Sequence, residues 1–233
     1  MLGSNCSRVT STPAAINGRL SARTLSNVKT TITGTVTLKT GAERDAILQV
    51  PAKAGNSAIP LLVFLHGAGQ SAARMLEYLG SVPEEAGVAV LAVNSVDYTW
   101  DGINGSFGPD VQSLNSLLAN VFRKVLVDPS KLALGGFSDG ATYGLSLGLI
   151  NGDLFTRIVA FSPGFMVDAA ANGKPELFIS HGRQDNILPI DSCSRPIVAS
   201  LKSRGYQVTF REFDGRHEVP ADVAREALSW MAR

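Results

Sequence analysis

The sequence predicts an α/β fold: about eight strands in a mostly parallel sheet, helices on both faces, and no large lid domain. Three observations carry this. Leu61–Leu65, Val88–Val93 and Leu132–Leu134 are continuously apolar, and a strand that is apolar on both faces is buried on both, as in a parallel sheet covered by helices. Segments of helical period separate such strands, in alternation. No internal repeat and no linker divides the 233 residues, which at 45% hydrophobic and 18% charged can bury one sizeable core and exclude a disordered chain.

Taken in order, residues 1–42 hold five Lys or Arg and no Asp or Glu, among many Ser and Thr. We take residues 1–30 as a basic, flexible arm and 31–233 as one domain. An organellar transit peptide is the other reading of that composition; no charged start precedes an apolar core, which argues against a secretory signal and leaves a cytoplasmic location as the default expectation. Thr31–Leu38 alternates and is Thr-rich, which suits a strand, and Asp45–Val50 suits its hairpin partner, ended by Pro51. Apolar residues at 111, 114, 117, 118, 121, 122, 125 and 126 predict a helix from Asp110 to about Val127, stopped by Asp128-Pro129. The run Lys131–Phe137 holds the next strand. In the helix expected after Ser138, Gly140, Gly144 and Gly148 share one face, and their cost to the helix is explained by close approach to the sheet. Arg157–Phe161, Glu176–Ser180 and Gln207–Phe213 continue the strands, and Pro220 opens a final helix through Val223, Ala227 and Met231.

Several function classes drop out. A net charge of +1 gives no case for nucleic acid or an anionic surface as partner. No apolar run is long enough to span a bilayer. Cys6 and Cys193 make no disulfide framework by their spacing. No His/Asp/Glu cluster has metal-ligand spacing and no Gly-rich loop ends in Lys-Ser/Thr, so neither metal nor cofactor is expected.

The chemistry centres on Gly136-Phe-Ser-Asp-Gly140. Gly-x-Ser-x-Gly between a strand and a helix places the serine on a strained turn, exposed at the sheet edge. Serine is a poor nucleophile at neutral pH and needs a base, which an acid must orient. The chain has three histidines. His66 and His181, each just after a strand, suit structural roles in which the ring bonds nearby loops. His217, between the last strand and the last helix, occupies the place of the base in a Ser, acid, His order. Asp185 follows the strand Glu176–Ser180 and so lies on the carboxyl edge, where parallel sheets build their sites. Asp191 suits a helix cap, Asp168 a polar loop and Asp214 a turn. An acyl-transfer site also needs N–H donors for the developing oxyanion. Asp139 N–H, directly after the serine, supplies one, and Ala68 N–H in His66-Gly-Ala-Gly-Gln70 the other.

Leu65-His-Gly-Ala-Gly69, Gly136-Phe-Ser-Asp-Gly140, His181-Gly-x-x-Asp-x-x-x-Pro189 and Gly215-Arg-His-Glu218 together resemble the phospholipase/carboxylesterase family of α/β-hydrolases. That family includes acyl-protein thioesterase-like and dienelactone-hydrolase-like enzymes. The resemblance spans roughly residues 45–233. It implies a serine carboxyl-ester hydrolase with Ser138 as nucleophile, Asp185 as acid and His217 as base. Two positions depart from the pattern: Asp139-Gly140-Ala141 stands where members commonly have Gln and Gly after the serine, and Arg216 where a glycine usually precedes the histidine. Both touch the pocket rim, so they bear on the substrate more than on the reaction.

Residues 162–175 are too few for a folded cap, so access should be open. Trp100 and Phe107, in the loop from Asn94 to Pro109, and Phe165 and Met166 are candidates to line the substrate; ordinary packing is the alternative for each. The expected substrate is a small-molecule carboxylic ester with an apolar acyl or aryl part. A thioesterase, a peptidase or a carbon–carbon hydrolase keeps the same nucleophile, and a non-catalytic ligand-binding protein keeps only the scaffold.

Overall fold

The computed structural model describes residues 18–40, 44–55, 57–167 and 170–233. In chain order the elements are β1 (Gly34–Leu38), β2 (Ala46–Val50), β3 (Ile59–Leu65), α1 (Ala72–Leu79), α2 (Val82–Ala86), β4 (Ala89–Val93), a short 3₁₀ turn (Asp101–Asn104), α3 (Pro109–Val121), β5 (Val127–Phe137), α4 (Asp139–Ile150), β6 (Arg157–Phe161), β7 (Glu176–Gly182), α5 (Ser194–Ser203), β8 (Val208–Phe213) and α6 (Ala221–Ala232). The eight strands form one sheet in the order β1-β2-β4-β3-β5-β6-β7-β8. β2 pairs antiparallel with β1 and β4, and the remaining pairs are parallel.

Alternation along the central strand explains the layers. Leu61, Val63 and Leu65 of β3 pack with Leu114 and Leu118 of α3, whereas Leu62 and Phe64 pack with Met75 of α1 and Leu228 of α6. Successive side chains of a strand point to opposite faces, so a strand between two helical layers must be apolar throughout. α4 is buried along its whole length from Gly140 to Ile150, as a helix that is apolar all round must be. No helix among the described residues is long and apolar enough to cross a membrane.

The structure corrects three expectations. The helix predicted from Asp110 to about Val127 ends at Val121, and Val127 already pairs with Ile59 in the sheet. Phe122 and Val125 keep the helical spacing because both are buried in the core from an intervening turn. The arm expected to be free over residues 1–30 is held down from residue 18. Leu20 and Ala22 are buried against the core, Leu20 N–H donates to Asn151 Oδ1 at 2.8 Å, and Arg19 and Arg23 both pair with Asp153. Arg19 and Arg23 serve as anchors there. Residues 1–17, with Cys6, lie outside the described residues, as does Asp168. Cys193, just before α5, is disulfide-bonded, a crosslink for which cysteine spacing gives no signal.

Candidate active site

The site stands on the carboxyl edge of the sheet, where β5, β7 and β8 end. Ser138 follows β5 with φ 58° and ψ −121°, a left-handed conformation that costs a non-glycine residue on the order of 1–3 kcal/mol. The strain falls on the serine itself, because its glycine neighbours are needed for space. A Cβ on Gly140 would stand 2.2 Å from Leu65 O and 2.5 Å from His66 O, and one on Gly136 2.4 Å from Gly140 C. The turn is therefore pressed against the end of β3, and Ser138 N–H donates to Phe161 O at 3.0 Å, tying it to β6 as well.

The structure brings the three sequence-predicted residues into one line. Ser138 Oγ is 2.9 Å from His217 Nε2, and His217 Nδ1 is 2.6 Å from Asp185 Oδ2. An ionised carboxylate only accepts, so Nδ1 carries the imidazole hydrogen and Nε2 is left to accept from the serine hydroxyl. Two backbone bonds stitch the acid loop to the base loop: Arg183 N–H donates to Phe213 O and Gln184 N–H to Gly215 O, both at 2.9 Å. Gly182 permits this approach, since a Cβ there would lie 2.2 Å from Arg216 O.

Asp185 is buried, with Oδ1 accepting from Ile187 N–H and Leu188 N–H at 2.9 Å each. Burial pushes its carboxyl up, but hydrogen bonds from His181, His217 and Leu188 outweigh it and hold the group well below the usual carboxylate range. His217 thus faces an anion at neutral pH. The other candidate acids lie elsewhere. Asp214 pairs with Arg183 on the surface. Asp191 pairs with Arg195 instead of capping α5, whose N-cap is Cys193.

Asp139 follows the serine directly, and Ala68 follows Gly67, whose backbone comes close to Ser138. Asp139 N–H is the first of α4, and a first-turn N–H has no acceptor within its helix. Ala68 is exposed, and among the described residues its N–H meets no acceptor. The loop that carries Ala68 is firmly braced. His66 is fully buried, accepts from Ser95 N–H at Nε2 (3.0 Å) and donates from Nδ1 to Gly67 O (2.7 Å). Burial lowers its imidazole below the ordinary range, so the ring is neutral and structural, as expected.

Trp100 and Phe107 are corrected as substrate contacts. Trp100 is 1% exposed, stacks on Tyr143 at 5.2 Å, and donates from Nε1 to His66 O at 2.8 Å. Phe107 packs on the same Tyr143. Both are core residues that support the site from below, because the loop from Asn94 to Pro109 folds inward through its 3₁₀ turn. Phe165 and Met166 are half-buried, and Met166 packs against the cluster around α5.

Sequence reasoning missed three contributors. Arg44 Nη1 donates to Gln70 O at 2.9 Å, and its Nη2 reaches Ser95 O and Asp97 O. Thr99 donates to Asp139 Oδ2 at 2.7 Å. His181 contacts Asp185 directly, with Nε2 3.2 Å from Oδ2. Arg44 and Thr99 sit in loops with no motif, so only the fold reveals them. The His181 spacing to Asp185 was visible but reads equally as a turn.

Comparison with known proteins places the family and the fold. The phospholipase/carboxylesterase family pattern matches residues 103–232. Among solved structures, esterase PE8 superimposes with a TM-score of 0.64 at 21% identity, covering 79% of this chain and 95% of that one. The fluorophosphonate-binding serine hydrolase F of Staphylococcus aureus gives 0.69 at 13% identity, covering 86% and 98%. The Bacillus cereus carboxylesterase gives 0.62 at 18% identity, covering 82% and 94%. These likenesses are likenesses of fold.

Proposed function

The chain belongs to the phospholipase/carboxylesterase family of the α/β-hydrolase fold, and on that basis we propose that it is a serine carboxylesterase that works through an acyl-enzyme. The observation that carries the proposal is the unbroken relay from Ser138 Oγ through His217 to Asp185, at 2.9 and 2.6 Å. As Ser138 attacks an ester carbonyl, its proton passes to His217 Nε2, and Asp185 stabilises the imidazolium that forms. Ala68 and Asp139 N–H groups receive the oxyanion. His217 then protonates the leaving alcohol, and water releases the acid in a second cycle of the same transfers.

The substrate we favour is an ester of modest size with an apolar acyl or aryl part. Half-buried Phe165 and Met166 are its candidate contacts, joined by Tyr98 and Ile187, which are 71% and 54% exposed. Tyr98 lies over Gly69, where a Cβ would meet its ring at 2.7 Å, beside Ala68. The test is hydrolysis of short p-nitrophenyl esters by wild type and Ser138→Ala. The variant should lose about 10⁴-fold or more in kcat, the usual scale for removing a member of such a set, and equal rates in the two would sink the proposal.

A further inference from the structure

We propose that Thr99 is a positioning residue that keeps the Asp139 carboxylate off the N–H donors of the oxyanion site. This rests on the acyl-enzyme reading above, in which the Ala68 and Asp139 N–H groups receive the oxyanion.

An acid directly after the nucleophile sets a problem through covalent geometry alone. In any rotamer the carboxylate oxygens of an aspartate lie within about 5 Å of its own backbone nitrogen. Asp139 N–H opens α4, whose first-turn N–H groups have no acceptor within the helix. Those groups and the positive end of the helix dipole attract the nearest anion, and the nearest is the side chain of Asp139 itself. Seated there, it would exclude the substrate oxygen. Even unseated, a like charge about 5–7 Å from the developing oxyanion opposes the reaction on the order of 10- to 100-fold.

The carboxylate is held elsewhere. Among the described residues it accepts from no N–H of α4, and its one donor is the Thr99 hydroxyl, 2.7 Å from Oδ2. Asp139 is half-buried, and a hydrogen bond to an ionised acceptor is stronger than one between neutral groups. The hydroxyl stays in place because both neighbours of Thr99 are anchored. Tyr98 O accepts from Gly69 N–H at 2.9 Å, with the Tyr98 ring over Gly69. Trp100 is buried, donates from Nε1 to His66 O at 2.8 Å and stacks on Tyr143 of α4. Tyr98–Trp100 thus spans from the loop of Ala68 to the helix of Asp139, and the hydroxyl in its middle grips the acid.

Thr99 touches no reacting atom and acts through Asp139. As Ser138 Oγ bonds to the acyl carbon, an electron pair of the carbonyl moves onto its oxygen, which the two N–H groups receive. Without the Thr99 hydroxyl the carboxylate loses its donor and turns to the first-turn N–H groups. The cost falls on the transition state, where the substrate oxygen is charged, more than on binding of the neutral ester. With asparagine at 139 there is no charge to hold, and the hydroxyl matters little.

Hydrolysis of p-nitrophenyl butyrate by wild type, Thr99→Val and Thr99→Ser, each with Asp139 and with Asp139→Asn, tests this. Thr99→Val should lower kcat about tenfold with KM within about twofold, the scale of one charge-assisted hydrogen bond. It should weaken by the same factor a trifluoromethyl ketone that adds to Ser138 as an anionic hemiketal. Thr99→Ser, which keeps the hydroxyl, should stay within about threefold of wild type. Beside Asp139→Asn, Thr99→Val should cost less than about threefold. An equal loss in the two backgrounds, as misfolding would give, or no loss in either, overturns the proposal. Fluorophosphonate labelling of Ser138 in the same preparations keeps the two readings apart: no label on wild type overturns the acyl-enzyme itself, whereas label with equal losses in both backgrounds overturns only the role of Thr99.

Discussion

His181 Nε2 stands 3.2 Å from Asp185 Oδ2, the same oxygen that receives His217 Nδ1 at 2.6 Å. Two imidazoles thus share one carboxylate oxygen. The His181 ring is itself fixed, with Nε2 2.7 Å from Leu188 O and Nδ1 2.6 Å from Ser194 Oγ. Leu188 O can only accept, so Nε2 carries the hydrogen and Nδ1 accepts from the Ser194 hydroxyl. His181 therefore braces the same carboxylate oxygen that the base engages.

Replacing His181 by Phe keeps the ring volume and removes both bonds. We expect kcat on p-nitrophenyl butyrate to fall between about 10- and 100-fold, the scale of a small misplacement within a reacting set, with KM little changed. Ser194→Ala should move kcat the same way by a smaller factor. An unchanged kcat in His181→Phe would show that Asp185 needs no brace.

Asp185 also sets a pH signature. Its carboxyl is held well below the ordinary range by His181, His217 and Leu188, against the opposing push of burial. A lowered native value means that the carboxylate contributes stability in full above the unfolded range and loses it as pH falls through the native value. The stability gap between wild type and Asp185→Asn should be constant above about pH 5 and shrink progressively in more acid solution. Urea midpoints at several pH values would measure it. A gap that grows toward low pH contradicts the assigned sign. The same variant should lose about 10⁴-fold in kcat, since the imidazole tautomer is no longer fixed.

The glycines of α4 should differ sharply. A Cβ on Gly140 would run into backbone at Leu65 O and His66 O, 2.2 and 2.5 Å away, whereas one on Gly144 would meet Gly135 no closer than 3.4 Å. Gly140→Ala is expected to destabilise by about 3 kcal/mol or more, because backbone at the end of β3 cannot yield. Gly144→Ala should be neutral or stabilise by up to about 1 kcal/mol through its better helix propensity. Gly148 lies between them, since it presses on the Ile158 side chain at 2.8 Å. Thermal unfolding of the three variants would rank them, and equal effects at 140 and 144 would contradict the packing.

Arg44 should matter to turnover although it lies far from Ser138 in sequence. Its guanidinium grips the carbonyls of Gln70, Ser95 and Asp97 together, a planar fork that lysine cannot reproduce. Arg44→Lys is expected to lower kcat about tenfold by loosening the loop that carries Ala68. Steady-state kinetics beside a circular dichroism spectrum would separate this from global unfolding, and wild-type kcat in the variant would argue against it.

Much of this was legible in the chain itself. Continuous apolar runs such as Leu61–Leu65 determine a strand buried on both faces, and the spacing of Ser138, Asp185 and His217 along it determines which three residues can meet at one sheet edge. Local composition was enough there because burial and strand-end position are encoded within a few residues. It was not enough for Val121–Val127, where an apolar spacing that suits a helix serves a turn and a strand equally well. Nor could it separate Trp100 in the core from Trp100 on a cleft wall.

The tertiary structure decided what depends on distance between segments remote in sequence. That Leu20 covers the core, that Arg44 holds Gln70 and that His181 shares an oxygen of Asp185 are all matters of where loops end up. Each is set by the paired strands beneath the loops and by glycines such as Gly182 that let two backbones touch. Hydrogen bonds act over about 3 Å, and no periodicity in the sequence reports a contact of that range between loops.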